Sequence, residues 1–123
     1  MRERTYGPLE GKPRILFKEW DDALAKLTHV ERNTYRFVDG VETNEEVVTR
    51  ILTFIREIAV RYPGKKIVVV SHGGTIRQLL IRIGFATYEN MLNGSVKNGA
   101  FVKIETDGTD FFIKEVSGVQ FTN

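Results

Sequence analysis

The chain has 123 residues, 41% of them hydrophobic and 28% charged, with a formal net charge of +2 and no cysteine. That is long enough for one domain with a real core, and too apolar for wholesale disorder. The lack of cysteine excludes disulfides and thiolate metal sites, and the interspersed charges give no nucleic-acid footprint while tolerating a small anionic partner.

Residues 1–14 are rich in charge, Gly and Pro and read as loop. A helix is predicted over 18–27 with Trp20, Leu24 and Leu27 on one face. Phe17, Trp20 and Leu24 are expected to be core or interface anchors. The stretch 28–41 lacks clean periodicity and reads as loop, which makes His29 a solvent-facing loop histidine. Thr43-Asn44-Glu45-Glu46 matches a capping box, in which the Thr43 hydroxyl caps the helix while Glu46 reaches back. Val47, Val48, Ile51, Leu52, Ile55, Ile58 and Ala59 continue it at helical spacing to about Tyr62, where Pro63-Gly64 stops it. A strand over 67–70, a helix over 75–83 ending at Gly84 and a short helix over 88–92 follow. Strands over 100–105 and 111–116 flank the turn chemistry of Asp107-Gly108. Phe111 and Phe112 belong to that last strand and not to a base-stacking platform. The order implies an α/β domain. No apolar run approaches the roughly 18 residues of a membrane span, and Met1 to Tyr6 contain no signal-peptide core. The expectation is a cytoplasmic protein with no membrane or nucleic-acid partner.

The chemistry concentrates in Ile67-Val68-Val69-Val70-Ser71-His72-Gly73-Gly74-Thr75-Ile76-Arg77. Four β-branched residues suit a strand buried on both faces. The glycines allow the backbone to approach a ligand closely, and a helix N-terminus presents N–H groups that favour anions. His72, Gly73, Gly74 and Thr75 are therefore candidates to hold a phosphate. His29 and His72 with scattered carboxylates lack metal-ligand spacing, so no metal site is expected. Only the C-terminal strand pair could flank strand 67–70, which would leave an open edge. Self-association, as a homo-oligomer or a strand-exchanged dimer, is the expected remedy.

Three segments, in order, resemble the histidine phosphatase superfamily, the phosphoglycerate mutase-like proteins. Arg2-Glu3-Arg4-Thr5-Tyr6-Gly7-Pro8-Leu9-Glu10-Gly11 is similar to the family's E-R-x-[FY]-G-x-L-E-G loop. Gly40-Val41-Glu42-Thr43-Asn44-Glu45-Glu46 resembles its G-E-[ST]-x-x-[ED] helix start with Val41 inserted, and Val70-Ser71-His72-Gly73-Gly74-Thr75-Ile76-Arg77 resembles its second histidine motif. Asn98-Gly99-Ala100 is similar to the start of a late strand. The resemblance implies a three-layer α/β/α domain over 1–123, incomplete at its N-terminus, with a reduced sheet and a C-terminal β-hairpin.

It also implies phosphoryl transfer from a small phosphate ester without metal or other cofactor. His72 matches the histidine that donates to the transferring phosphoryl group, and Glu3 the acid that protonates the leaving oxygen. Arg4 and Tyr6 match positions that help hold the substrate's anionic part; Arg14 falls near a basic substrate position, and Arg77 is expected to act structurally. His72-Gly73-Gly74 leans towards phosphatases, since mutases more often have Asn after the H-G pair.

The family's R-H-G strand, whose histidine takes the phosphoryl group, is not within these residues. A piece of a longer polypeptide, translation from an internal Met and a gene without its front half all fit. The expectation is a phosphatase-like protein impaired or inactive as this chain alone, since loss of a nucleophile removes several orders of magnitude in rate. The alternatives are a non-catalytic phosphate-binding or self-associating module, or one half of a split enzyme. An α/β-hydrolase loop of H-G-G type lacks its G-x-S-x-G partner here.

Overall fold

Capping chemistry starts two of the four helices of the computed structural model, which describes residues 3–11, 18–37, 39–92 and 94–121. The elements are a 3-10 turn at Gly7–Leu9, helices α1 (Lys18–Ala25), α2 (His29–Thr34), α3 (Asn44–Arg61) and α4 (Gly73–Arg82), and strands β1 (Val96–Thr106) and β2 (Phe111–Val119). The protein is thus a small α/β chain of helices with a two-stranded antiparallel sheet. It divides into two compact units, Arg4–Val47 and Met1–Glu3 with Val48–Asn123. Arg2, Arg14 and Phe17 lie outside the described residues.

In the unit Arg4–Val47, Trp20 and the fully buried Val41 form the core, with Tyr6, Leu9, Leu24, Tyr35 and Phe37 packed against them. Val41, an insertion relative to the family pattern, is therefore a core residue. Gly7 has φ +53°, and a Cβ there would lie 2.6 Å from the Gly40 backbone, so this close approach requires glycine. The capping box expected at Thr43 forms: Glu46 N–H donates to Thr43 Oγ1 at 3.1 Å, and Thr43 N–H donates to Glu46 Oε1 at 3.3 Å.

The loop expected over 28–41 contains α2, and His29 opens that helix instead of sitting in a loop. The signal was Thr28-His29-Val30-Glu31, a second capping box too short to show periodicity. Glu31 N–H donates to Thr28 Oγ1 at 3.2 Å and Glu31 Oε1 accepts the Thr28 N–H at 2.9 Å. The backbone hydrogen bond from Thr28, followed by its side-chain hydrogen bond, lowers the Glu31 carboxyl below its ordinary value. The ionised form is the one stabilised. Its contribution is complete above the ordinary glutamate range and is lost as pH falls through the lowered value. Acidification is thus expected to expose the Thr28 amide to hydrogen exchange only after ordinary surface glutamates have titrated. Glu31→Gln should flatten that pH dependence; an unchanged profile would refute the assignment.

In the second unit, Leu80, Ala86 and Met91 form the core under Ile76, Val96, Val102, Ile113 and Val119. The hairpin is longer than expected at both ends. Asn98-Gly99-Ala100, which resembles the start of a late strand, lies inside β1, where the register moves from Val96↔Val119 to Phe101↔Ser117. Gly99 and Gly118 both have positive φ at this irregularity, and Gly118 lies against Ala100, where a Cβ would sit at 2.8 Å. The turn chemistry of Asp107-Gly108 forms: the Asp107 carboxylate accepts from Thr109 and Asp110 N–H.

Two further expectations are corrected. The segment 88–92 is a single turn, closed by Met91 N–H on the Thr87 carbonyl at 3.0 Å, and no helix follows. Thr87 and Asn90 exchange side-chain to backbone hydrogen bonds, which completes the turn locally. The segment 67–70 joins no sheet, and it is not buried on both faces: Val68 is 92% and Val70 79% exposed. Ile67, Val68 and Val69 make no backbone hydrogen bond among the described residues. The physical reason is pairing: the two described strands, β1 and β2, pair with each other.

Candidate active site

The segment 67–70 leads through Ser71 and His72 to the start of α4. His72 is the N-cap in extended conformation, φ −128° and ψ 157°, and its side chain makes no capping hydrogen bond. It is exposed, whereas Thr75 is fully buried. Gly73 packs against β1, where a Cβ would lie 3.3 Å from the Val96 carbonyl oxygen. Arg77, one turn further along, donates from Nε to the Met91 carbonyl at 2.7 Å and lies over the Tyr88 ring, so it belongs to the framework under the loop.

An acid from the other end of the sequence meets this loop. Glu3 Oε2 accepts the Gly74 N–H at 3.0 Å, and Glu3 Oε1 accepts the Thr75 hydroxyl at 2.9 Å. The Glu3 carbonyl accepts from Arg50 Nη2 at 3.3 Å. The positive end of the α4 dipole and an unpaired first-turn N–H explain why a carboxylate rests there. Gly74 permits it, because a Cβ would stand 3.0 to 3.2 Å from the carboxylate atoms. One residue before the N-cap, the Ser71 hydroxyl oxygen is buried without a hydrogen-bond partner. Nothing in the sequence pattern marked Arg50 or the Ser71 hydroxyl, because both matter only through tertiary contacts.

Of the sequence-derived site residues, Glu3, Gly74 and Thr75 are thus in direct contact, beside Gly73 and His72. Arg4 and Tyr6 belong to the unit Arg4–Val47. There Arg4 donates to Asn44 Oδ1 at 2.5 Å and to the Glu42 carbonyl at 3.4 Å, and its guanidinium lies 5.4 Å from the Trp20 ring centroid. Tyr6 packs edge-on to Trp20 and donates its N–H to Glu10 Oε1 at 2.8 Å. No group of three or more His, Asp or Glu side chains among the described residues is placed to hold a metal ion. No described helix is long and apolar enough to cross a membrane.

The α4 N-terminus thus gathers two glycines, a histidine N-cap and the Glu3 carboxylate within the segment that resembles the family's second histidine motif. The family model for the histidine phosphatase superfamily (branch 1) matches residues 1–117, and the chain belongs to that superfamily. It is 31% identical over 86 residues to an uncharacterized phosphatase, PhoE, of Bacillus subtilis (strain 168), covering 67% of this chain and 36% of that protein. It is 27% identical over 97 residues to a metal-independent phosphoserine phosphatase of Arabidopsis thaliana, covering 78% of this chain and 41% of that protein. The matched region therefore spans about two fifths of these relatives' length. No solved structure matches the chain at a significant level.

Proposed function

We propose that this chain supplies the second-histidine half of a phosphatase-type site, with His72 and the α4 N-terminus binding the phosphoryl group of a small phosphate ester. The observation that carries the reading is the Glu3 carboxylate on Gly74 N–H and Thr75 Oγ1, two donors of the kind a phosphoryl oxygen needs. In phosphoryl transfer such donors stabilise charge on the non-bridging oxygens, and His72 adds a donor beside them. Glu3 is the acid for the leaving oxygen, which calls for a protonated carboxyl near the ester bond. Arg4 and Tyr6 contribute to the substrate's anionic end. The nucleophile comes from outside these residues, so the chain alone turns over aryl phosphate several orders of magnitude more slowly than a complete site.

The test is titration of the purified chain with inorganic phosphate, read at the Gly73–Thr75 amides by NMR. Saturable shifts are expected, weakened about tenfold in His72→Ala through loss of one charge-assisted hydrogen bond. Signals that stay put in both proteins would refute the reading. Aryl phosphate hydrolysis abolished by His72→Ala would instead make His72 itself the catalytic group.

A second reading has an observation of its own. Ile67–Val69 is apolar and makes no backbone hydrogen bond among the described residues, and Val68 is 92% exposed, which suits a self-associating module or one half of a split enzyme. Sedimentation at high micromolar concentration that finds only monomer would exclude self-association. Activity restored by a second polypeptide carrying an R-H-G strand would establish the split enzyme.

A further inference from the structure

We propose that the Glu3 carboxylate is an internal anion that closes the α4 N-terminus, and that phosphate binds there only after Glu3 leaves. The inference rests on the phosphate reading above and adds a gate to it. Both carboxylate oxygens are engaged, Oε2 with the Gly74 N–H and Oε1 with the Thr75 hydroxyl. Each of those groups carries a single proton, so neither can serve a second strong acceptor at full strength. A phosphate oxygen on Gly74 would also stand where Oε2 now stands, and two anions do not share one donor at hydrogen-bond distance. Competition follows from geometry.

Three observations mark the contact as an occupied seat and not a local cap. Glu3 lies 71 residues from Gly74 in sequence, so no turn geometry imposes the pairing. The Arg50 guanidinium donates to the Glu3 backbone carbonyl, a hold on the main chain that does not involve the carboxylate oxygens. The Ser71 hydroxyl remains buried and unpaired with Glu3 in place, so the carboxylate does not saturate the polar groups of this loop. A phosphate, with more acceptor oxygens than a carboxylate, can satisfy more of them.

A closed seat lowers apparent affinity by the fraction of time it is open. If two charge-assisted bonds keep it closed about nine-tenths of the time, phosphate binds about tenfold more tightly once Glu3 is neutralised. The experiment is a titration of inorganic phosphate into the full chain, its Glu3→Gln and Glu3→Ala variants, and Asp110→Asn as a control for net charge. Expected are a displaced Gly74 amide signal in both Glu3 variants before phosphate is added, then about tenfold tighter phosphate binding than in the parent or Asp110→Asn. Equal affinity in all four proteins, with Gly74 responding, would overturn the gate and leave the phosphate site standing. Weaker binding in the Glu3 variants would also overturn it, since Glu3 would then assist the anion. No response at Gly73–Thr75 in any protein would remove both the gate and the site.

Discussion

Replacing Leu80 by alanine is expected to cost about 2–5 kcal/mol of unfolding free energy, the range for deleting a large aliphatic side chain from a closed core. Leu80 is fully buried on α4 and shares its cluster with Met91 and Ala86, beneath Ile76, Val102 and Ile113. A domain stabilised by roughly 5–15 kcal/mol in total would lose a large share. The effect reaches function, because the same helix presents Gly73, Gly74 and Thr75 at its start. Urea denaturation followed by far-UV circular dichroism measures it, with Val60→Ala, 74% exposed, as a control expected within about 0.5 kcal/mol of the parent. A loss below about 1 kcal/mol for Leu80→Ala would mean that the cluster is not a core.

Trp20→Ala carries the other large effect, about 3–5 kcal/mol. The indole is buried, stacked on Phe37 at a centroid distance of 5.7 Å and met edge-on by Tyr6 at 6.0 Å. The Arg4 guanidinium closes its remaining side. Trp20→Phe keeps an aromatic ring in place and is expected to lose less than half as much. Since this is the protein's single tryptophan, fluorescence of the parent reports this cluster directly. Denaturation that leaves Trp20→Ala as stable as the parent would contradict the assignment. The prediction also bears on Arg4. A guanidinium bound to Asn44 and laid on Trp20 supports the unit, so Arg4→Ala should reduce stability whatever it does to substrate binding.

What could be read in the sequence was whatever local chemistry decides. The capping box at Thr43, the helix behind it, the Asp107-Gly108 turn and the amphipathic face around Trp20 all follow from neighbours within a few residues. The equivalent box at Thr28 was equally local and was missed, because a six-residue helix offers no periodicity to support it. Ile67-Val68-Val69-Val70 shows the limit from the other side. Its composition is that of a strand, yet strand formation is a property of two segments, and propensity cannot supply the partner. The histidine motif and the acid loop were legible as family patterns. Their contact was not: that Glu3 reaches Gly74 and Thr75, and that Arg50 donates to the Glu3 carbonyl, depends on bringing together segments far apart in sequence.

The exposed stretch Ile67–Val70 has a kinetic meaning as well as a structural one. His72 is fastened to α4 on one side, and a few residues upstream the Ile67–Val69 backbone makes no hydrogen bond among the described residues. Each residue fixed there costs on the order of 1–2 kcal/mol of conformational entropy, and a reacting group displaced by about 1 Å can lose a hundredfold in rate. A strand that docked along Ile67–Val70 would meet that cost through its own association and hand His72 a defined position. In the proposed phosphatase-type site, assembly and chemical competence would then form a single equilibrium, with turnover rising with the occupancy of that edge.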